Sequence, residues 1–283
     1  MKDLAGRTAV ITGASRGIGV YVAKALAAQG MNLVLAARSA EGLEAVRAGL
    51  GGGAGVTTVP TDVSKRADCQ ALIDEATKQF GAVDVLVNNA GIETIYSYHK
   101  LSLDEIDEVI DINLRGTMHL TWMALPGMLE RRRGHIVNMA SLAGKAGPAF
   151  GEPYGATKAG MIGFTQSLRG SYQSEGVSAS AICPGFVDTG MYAAAREERP
   201  NAPKPATGVA TGEQVGAAVV KAIRQDLPEV IVNPMPVRPL LALYGIAPGI
   251  TERLTHLVDS NKMFREQAEM REKQREGSEV RQA

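Results

Sequence analysis

The sequence TAVITGASRGIG, which runs from Thr8 to Gly19, decides the fold of this chain. It opens with a short apolar run that ends at Gly13, a pattern typical of a buried parallel strand. A helix is predicted over 17–29, with Gly30 as its C-cap. Glycines at such a junction let the backbone approach a pyrophosphate, and the helix N-terminus offers free amides and a positive dipole. The strand–turn–helix context therefore predicts a phosphate-binding loop, with a structural tight turn as the alternative.

Strand and helix patterns alternate along the rest of the chain. Apolar runs predict further strands, and amphipathic stretches between turn residues predict the connecting helices. The predicted strands cover 32–37, 56–59, 83–87, 135–139, 177–183 and 230–233, and the predicted helices cover 40–50, 65–79, 102–131, 154–175 and 211–224. Alternation of this kind requires right-handed crossovers. We therefore predict an α/β fold with a doubly wound parallel sheet of about seven strands and helices on both faces.

Two regions outside the strands carry signals of their own. A capping box at 102–105 opens the longest predicted helix, which Pro126 should perturb. Residues after about Lys262 are strongly charged with mixed signs, so we expect a solvated helix that frays into a tail and carries no chemistry. We accordingly divide the chain into a catalytic domain at 1–260 and a charged C-terminal helix or tail at 261–283.

Composition and charge exclude several classes of function. The 283 residues include 30 basic and 30 acidic side chains, and this balance argues against nucleic-acid binding through bulk electrostatics. Cys69 and Cys183 lack metal or redox spacing, and the histidines show no metal-ligand spacing, so we expect reduced thiols and no metal. The N-terminus has no signal-peptide core, and Arg238 and several prolines interrupt the apolar stretch at 229–250. We expect a cytoplasmic protein without an integral membrane segment; peripheral membrane contact is an open alternative.

The residues after the second predicted strand indicate which dinucleotide the loop would bind. Proteins selective for NAD usually place an acid about 20 residues after the glycines, where it bonds the ribose hydroxyls. Ala37 stands at that place, Arg38 and Ser39 follow it, and Arg16 lies inside the glycine loop. Two guanidinium groups suit a 2′-phosphate, which arginine binds in a bidentate manner. We predict NADP(H), the alternative being that both arginines are merely solvated.

Polar residues also follow the third and fourth predicted strands. Asp62 is placed to accept a hydrogen bond from an adenine amino group, and the backbone of Val63 is placed to hold the ring; an N-cap formed by Asp62 or Ser64 is the plainer alternative. Asn89 lies in the run NNAG at 88–91. A structural bond to strand ends and a direct cofactor contact are equally weighted interpretations of its side chain.

Ser141, Tyr154 and Lys158 supply candidate acid–base chemistry. Tyr154 and Lys158 are one helical turn apart, so both side chains point from the same face. Because a cation beside a phenol favours the phenolate, we expect the pKa of Tyr154 to be lowered towards working pH. Such a tyrosine gives a proton to a ketone or takes one from an alcohol. Ser141 follows the fifth predicted strand, and its hydroxyl would polarise a carbonyl rather than act as a nucleophile.

Taken together, these motifs resemble the short-chain dehydrogenase/reductase family, with agreement in order and spacing over about residues 6–191. The matching residues are Thr12, Gly13, Gly17, Gly19, Asp62, Asn88-Asn89-Ala90-Gly91, Asn113, Ser141, Tyr154, Lys158 and Pro184-Gly185-Phe186-Val187-Asp188-Thr189. The resemblance implies a single Rossmann-fold domain with an extra C-terminal helical segment. Ala140 is a small departure, since many members carry a second serine there. The long C-terminal segment departs further and weakens an assignment to fatty-acid synthesis.

The resemblance also implies a role for each site residue. Tyr154 would be the general acid in reduction, and Lys158 would lower its pKa and bind the nicotinamide ribose. Ser141 would bind the substrate oxygen, and Asn113 would hold a water that relays protons. The implied cofactor contacts come from Gly13, Ser15, Arg16, Gly17, Ile18, Gly19, Arg38, Ser39, Asp62, Val63, Asn89, Ala90, Gly91, Tyr154, Lys158, Pro184, Gly185, Val187 and Thr189.

These expectations combine into one predicted function with two rivals. The chain is expected to reduce a ketone or aldehyde with NADPH, or to oxidise the matching alcohol. Residues 186–210 would form a lid, and Ile95, Tyr96 and Phe150 are candidate walls of a lipophilic pocket. The rivals are a 3-oxoacyl-thioester reductase and a non-catalytic nucleotide-binding module. The resemblance further suggests a homodimer or homotetramer that associates through the long helices.

Overall fold

A computed structural model describes residues 1–51, 55–200, 204–257 and 261–282 of the chain. The strands are β1 (Thr8–Thr12), β2 (Asn32–Ala37), β3 (Val56–Pro60), β4 (Val85–Asn88), β5 (Gly134–Met139), β6 (Val177–Pro184), β7 (Phe186–Val187), β8 (Val209–Ala210) and β9 (Glu229–Val232). The helices are α1 (Ile18–Ala27), α2 (Ala40–Gly49), α3 (Arg66–Phe80), α4 (Leu103–Ile110), α5 (Gly116–Glu130), α6 (Glu152–Tyr172), α7 (Gly190–Glu198), α8 (Gly212–Gln225), α9 (Arg238–Ile246), α10 (Pro248–Leu257) and α11 (Lys262–Gln282).

The central sheet confirms the predicted α/β architecture. Across the described ranges it contains seven parallel strands in the order β3-β2-β1-β4-β5-β6-β9. The chain runs outward from β1 to β3 and then returns to lay β4 on the other side of β1. The strand order therefore reverses between β1 and β4, and a crevice opens at such a point beyond the carboxyl ends of the strands.

Alternating side chains of the strands form a core on each face of the sheet. On β1, Ile11 packs in the apolar cluster that includes Leu26 of α1 and Val215 of α8. Its neighbour Val10 packs in the opposite cluster with Leu72 of α3 and other residues. Because successive strand residues point to opposite faces of the sheet, one continuous apolar run contributes side chains to the core on both faces. Each side chain buried in this way contributes about 1.5–3 kcal/mol to folding.

The long helical stretch predicted at 102–131 forms, with one irregular turn inside it. The capping box at Ser102 forms as expected and opens α4. A π-helical turn at Asp111–Arg115 then separates α4 from α5. The helix continues through Pro126, which is exposed. The predicted long helical stretch is confirmed, but the predicted disturbance at Pro126 is wrong, because the irregularity falls at the π turn.

Helix α11 packs against the rest of the chain, which contradicts the expected solvated helix. Ala268 is fully buried, and the ring of Phe264 stacks on Phe186 with centroids 6.3 Å apart. The guanidinium of Arg275 lies 4.2 Å from the ring centroid of Tyr96. The residues of α11 that make these contacts thus include the charged Arg275 as well as the apolar Phe264 and Ala268. The charge content of this segment therefore did not predict that the helix packs against the rest of the chain.

The late apolar stretch folds into short elements. It contains β9, α9 and the beginning of α10, and α9 buries none of its residues against the described part of the chain. Among the described helices, none combines the length and the apolar character needed to cross a bilayer.

Candidate active site

The predicted site residues meet along one edge of the sheet. Strands β1, β4, β5 and β6 are neighbours, and all four are parallel, so their carboxyl ends lie side by side. Gly13 follows β1, Asn89 follows β4, Ser141 follows β5, and Pro184 closes β6. Helix α6 carries Tyr154 in its first turns against this edge. The topology thus gathers residues that are far apart in sequence into one crevice.

The glycine loop after β1 requires glycine at its close contacts. Gly13 has φ +64°, and a Cβ built on it would lie 2.9 Å from the Cα of Ala90. A Cβ on Gly19 would lie 2.2 Å from the carbonyl oxygen of Gly13. Helix α1 begins after Gly17 without a side-chain cap, so its first amides stay free for an anion. This uncapped N-terminus beside bare backbone fits the pyrophosphate of a dinucleotide.

Asn89 holds the shape of this loop. Its Nδ2 donates to the carbonyl oxygens of Thr12 at 2.9 Å and Gly13 at 3.1 Å. The hydroxyl of Thr12 accepts from the backbone amides of Asn89 and Ala90, each at 3.0 Å. Of the two interpretations weighed for Asn89, these bonds favour the structural one, since both amide hydrogens serve the end of β1.

The arginines predicted to bind a 2′-phosphate lie at the surface near the loop. Arg16 and Arg38 are both exposed, and neither forms a hydrogen bond or ion pair with the described residues. Ser39 caps α2 by accepting the amide of Gly42 at 3.1 Å. A Cβ on Gly42 would lie 2.9 Å from the Cβ of Ser15, so the start of α2 touches the glycine loop. Both guanidinium groups are therefore free beside the same crevice.

Asp62 stabilises a local turn after β3. Its carboxylate accepts from the backbone amide of Ser64 at 3.1 Å and from the Ser64 hydroxyl at 2.7 Å. Burial opposes ionisation, but the bonds from Ser64 and the charges of Lys65 and Arg38 hold the pKa of Asp62 below its ordinary value. The predicted N-cap at Asp62 or Ser64 is wrong, because Lys65 occupies that position and forms no side-chain cap.

Asn113 sits in the π turn and clamps the segment after β4. Its Oδ1 accepts the amide of Ile92 at 2.8 Å, and its Nδ2 donates to the Ile92 carbonyl at 2.9 Å and to the Thr157 hydroxyl at 3.1 Å. The side chain is fully buried. These bonds tie the Ile92 segment to helix α6, and they commit the Asn113 amide to protein partners.

Lys158 is buried beneath the crevice. Its Nζ donates to the carbonyl oxygen of Met139 at 2.8 Å and lies 5.6 Å from the centroid of the Tyr154 ring. A Cβ on Gly91 would lie 3.4 Å from the same nitrogen. Burial lowers the pKa of Lys158 to about 8, because the charged ammonium is poorly solvated there.

The pKa of Tyr154 departs from the expectation based on spacing. Burial raises it to about 12, the Ser141 hydroxyl acts to lower it, and the charge of Glu93 raises it further. The expected lowering by Lys158 is therefore wrong in this structure. The reason is that loss of water around the phenolate outweighs a cation whose nearest partner is the Met139 carbonyl.

Ser141 is held between β6 and its own loop. Its hydroxyl accepts the amide of Ala143 at 3.1 Å and donates to the carbonyl of Pro184 at 3.4 Å. Gly144 lets this loop approach α6, since a Cβ there would lie 2.6 Å from the backbone of Lys158. Sequence reasoning did not single out Gly144, because only packing shows that its side-chain position is closed.

The region predicted as a lid begins beside the glycine loop. Thr189 starts α7, and a Cβ on Gly17 would lie 3.3 Å from the Cα of Gly190. Strand β7 pairs with β8, which ties the two ends of the region together. Within it, the rings of Phe186 and Tyr192 lie 5.4 Å apart. Residues 201–203 of the predicted lid lie outside the described residues.

Sequence reasoning also missed Glu93. This residue follows the clamped Ile92, and its charge acts on Tyr154. The charge of Arg271 on α11 acts to lower the pKa of Glu93, and Arg271 pairs with Glu198 of α7 at 3.3 Å. An acid shortly after the NNAG run was the only signal available in the sequence, since the approach of α11 has no local signature.

The fold and this arrangement define an α/β protein with a nucleotide-binding crevice and a tyrosine–lysine pair at its edge. The family model for the short chain dehydrogenases matches residues 7–200. The chain belongs to that family, and it is an oxidoreductase acting on carbonyl or alcohol groups.

Relatives and solved structures agree with this assignment. The chain is 42% identical over 261 residues to the ketoacyl reductase HetN of a Nostoc species. The matched region covers 90% of this chain and 90% of HetN. The crystal structure of levodione reductase superposes with a TM-score of 0.75 at 31% identity, covering 81% of this chain and 96% of that one. An actinorhodin polyketide ketoreductase variant solved with NADPH gives a TM-score of 0.74 at 31% identity, covering 82% and 97%.

Proposed function

We propose that the protein reduces a ketone or aldehyde with NADPH and oxidises the matching alcohol in reverse. The observation that carries this proposal is the meeting of Ser141, Tyr154 and Lys158 beside the glycine loop. A bound nicotinamide would supply the hydride. The protein then has to hold the carbonyl, supply a proton to its oxygen and stabilise the charge that forms.

Each proposed catalytic residue has a distinct task. The Ser141 hydroxyl donates to the carbonyl oxygen and polarises it. Tyr154 gives its phenolic proton to the same oxygen. With a pKa of about 12 it is protonated at neutral pH, which suits an acid and therefore the direction of reduction. Lys158 stabilises the phenolate left behind and binds the nicotinamide ribose, while Asn113 keeps the neighbouring segment in register.

The proposed preference for NADPH rests on two free cations. Arg16 and Arg38 make no ion pair within the described ranges and flank the loop in which an adenine ribose would lie. A 2′-phosphate would give both a partner. The other proposed contacts, from the glycine loop, Asp62, Val63, the segment after β4 and the residues from Pro184 to Thr189, surround the same crevice. The NADPH bound to the polyketide ketoreductase adds support.

A second candidate function is reduction of a 3-oxoacyl thioester. The likeness to a ketoacyl reductase over 90% of each chain favours it. The C-terminal extension and the aromatic residues of the lid favour a lipophilic ketone instead. A non-catalytic nucleotide-binding module is the third candidate, and the complete set of catalytic residues argues against it.

We further propose that the protein forms a homodimer or homotetramer, and that the boundary between its catalytic domain and its C-terminal segment lies near residue 260.

Replacement of Tyr154 tests the mechanism. The variant Tyr154→Phe should lose about 10²–10⁴-fold in turnover of any ketone that the wild type reduces, because the proton donor is gone. NADPH affinity, measured by nicotinamide fluorescence, should change little. Tyr172→Phe, on the same helix, is the matched control and should retain activity. Equal turnover by wild type and Tyr154→Phe would refute the assigned mechanism.

Replacement of Arg38 tests the cofactor preference. NADPH and NADH are titrated separately, and wild type should bind NADPH more tightly. Arg38→Asp should reverse this order, because it removes a phosphate partner and supplies the acid that bonds ribose hydroxyls. Arg47→Asp makes the same change on α2 away from the loop and should keep the order. Tighter binding of NADH by wild type would overturn the assignment of Arg16 and Arg38.

A further inference from the structure

Helix α11 binds the end of α7, the helix of the predicted lid. Arg199, which directly follows α7, donates to the carbonyl oxygen of Met263 at 3.1 Å and forms an ion pair with Glu266. Further along α11, Arg271 pairs with Glu198 at 3.3 Å. The last residues of the lid helix are therefore attached to α11 by ion pairs and by a hydrogen bond to its backbone.

The following residues of α11 bind a second part of the chain, the segment that leads from β4 to α4. The carboxylate of Glu272 accepts the backbone amide of Ser97 at 3.2 Å and the ammonium of Lys100 at 2.7 Å. Arg275 forms an ion pair with Glu105 of α4. Because Asn113 ties the beginning of the same segment to α6, these contacts fix α11 to the body of the protein.

One rigid helix thus connects the lid to the segment after β4. The contacts run from Met263 to Arg275, which is about 18 Å along a helix. A single partly exposed ion pair contributes little to stability, but several pairs that form one network contribute more. The attachment of the lid therefore depends on contacts at both ends of this stretch.

The other end of α7 has the features of a hinge. Helix α7 begins at Gly190, which has φ +57°, a conformation that glycine adopts at little cost. A Cβ on Gly17 would lie 3.3 Å from the Cα of Gly190, so this end of α7 lies against the glycine loop. Helix α7 therefore extends from the cofactor loop to α11. Loss of the α11 contacts would leave it held at the hinge alone.

We propose that α11 is a strap that holds the lid helix α7 closed over the cofactor crevice, with Arg199 and Lys100 as positioning residues at its two ends. Cofactor exchange then requires the contacts between α7 and α11 to break. Both residues act through the position of α7 and lie outside the proposed catalytic set. The inference rests on the proposed reductase function and adds to it an opening step that controls cofactor release.

Hydrogen–deuterium exchange of the α7 amides measures the closed state without any substrate. Arg199→Glu replaces attraction by repulsion at the lid end of the strap, and Lys100→Glu does so at the other end. Both variants should raise the exchange rate of the α7 amides about threefold or more, while the amides of β5 keep their wild-type rate. Lys78→Glu reverses a charge that pairs with Glu75 on α3, and this matched control should leave α7 unchanged.

Lys100→Glu is the decisive variant because its ion pairs are with α11. Within the described ranges, Lys100 pairs with Glu272 at 2.7 Å and with Glu276 at 3.5 Å. An effect of this variant on α7 therefore passes through α11. The double variant Arg199→Glu/Glu266→Arg restores attraction with the charges exchanged, so it should recover part of the protection that Arg199→Glu loses.

Cofactor release supplies the second readout. The dissociation rate of NADPH, followed by nicotinamide fluorescence, should rise about threefold or more in Arg199→Glu and in Lys100→Glu and stay at the wild-type value in Lys78→Glu. Arg199→Gln and Lys100→Gln remove the charge without adding repulsion and should give smaller changes of the same sign. They replace the charge reversals if fast exchange of β5 shows that a reversal unfolds the protein.

Two results would overturn the strap. One is wild-type exchange of α7 in the Lys100 variants, and the other is an exchanged double variant with no more protection than Arg199→Glu. Wild-type NADPH dissociation in variants whose α7 exchanges faster would refute the control of cofactor release. Absence of NADPH binding by wild type, with the exchange results as expected, would count against the reductase function and leave the strap standing.

Discussion

Burial sets the proton affinity of the two groups that carry the proposed chemistry. It raises the pKa of Tyr154 to about 12 and lowers that of Lys158 to about 8. Lys158 therefore loses its charge first as pH rises, while Tyr154 is still protonated. Because a neutral lysine cannot stabilise a phenolate, the charge of Lys158 limits reduction on the alkaline side.

This order of titration predicts the pH profile of reduction. The kcat/KM for a ketone should be level at neutral pH and fall as pH rises through about 8, the pKa of Lys158. The residual kcat/KM of Lys158→Met should not fall over that pH range. A wild-type profile that stays level to pH values near the Tyr154 pKa of about 12 would contradict the assignment.

His135 is a second buried group whose protonation matters, here for stability. It lies on β5 with 2% of its surface exposed, and its Nε2 is 2.8 Å from the Ser180 hydroxyl. That hydroxyl donates to the carbonyl of Leu227, so the ring donates from Nε2 as a neutral imidazole. Burial lowers the pKa of His135 from 6.5 to about 3. Between these two pH values, His135 therefore binds a proton in the unfolded chain and not in the folded chain.

The stability of the protein should fall on acidification because of this residue. Between pH 6.5 and about 3 the unfolded state binds more protons at His135, so unfolding becomes easier as pH falls through 6.5. The full contribution is on the order of 5 kcal/mol. Urea unfolding of His135→Gln across this range should show a flatter pH dependence than wild type. His99→Gln, at an exposed histidine, should keep the wild-type slope. Identical slopes in wild type and both variants would show that His135 is not the source of the pH dependence.

At the scale of elements, helices α1 and α8 approach closely through glycine. A Cβ on Gly216 would lie 2.7 Å from the carbonyl oxygen of Tyr21 and 3.0 Å from the Cβ of Ala25. Gly212, one turn earlier, has its side-chain position filled by the Tyr21 ring. This contact fixes α1, whose N-terminus faces the pyrophosphate site, against the body of the sheet.

Substitution of these helical glycines should give effects of opposite sign. Gly216→Ala should destabilise the protein by about 1–3 kcal/mol, because the added methyl has no space and must move α1. Gly170→Ala on α6, where nothing lies within 4 Å, should instead stabilise by about 0.5–1 kcal/mol through helix propensity. Denaturant midpoints measure both. A neutral or stabilising Gly216→Ala would show that the α1–α8 contact is looser than described.

At the scale of the whole molecule, large apolar side chains remain exposed on α4 and α5. Leu103 is 78% and Trp122 is 72% exposed, and Met118 and Ile110 are also accessible. Exposed groups of this size commonly mark interaction surfaces. They lie on the helices through which homo-oligomerisation was expected, so they support the proposed assembly.

The proposed assembly predicts the effect of a charge at Trp122. Wild type should behave as a dimer or tetramer in light scattering, and Trp122→Glu should weaken association by about tenfold or more, because an aromatic anchor of the proposed interface would be lost. Ile246→Glu changes an apolar residue that is 84% exposed on α9 and serves as the control. Dissociation by Ile246→Glu alone would move the interface to α9, and a monomeric wild type would refute the assembly.

Most of the strands and helices could be predicted from local signals in the sequence. The strand at Thr8–Thr12 and the capping box at Ser102 are set by neighbours in the chain, and both formed as predicted. The π turn at Asp111–Arg115 was not predicted, since it is stabilised by the bonds of Asn113 to Ile92, which lies 21 residues earlier in the chain.

The sequence by itself determined the alternation of strands and helices, the family and the residues that gather at the sheet edge. Their spacing along the chain is enough, because a parallel sheet brings strand ends together whatever the details of packing. Only the tertiary structure decided the pKa values of Tyr154 and Lys158 and the docking of α11. These depend on water excluded by distant segments and on charges brought close through space, and neither quantity is written in any local stretch of sequence.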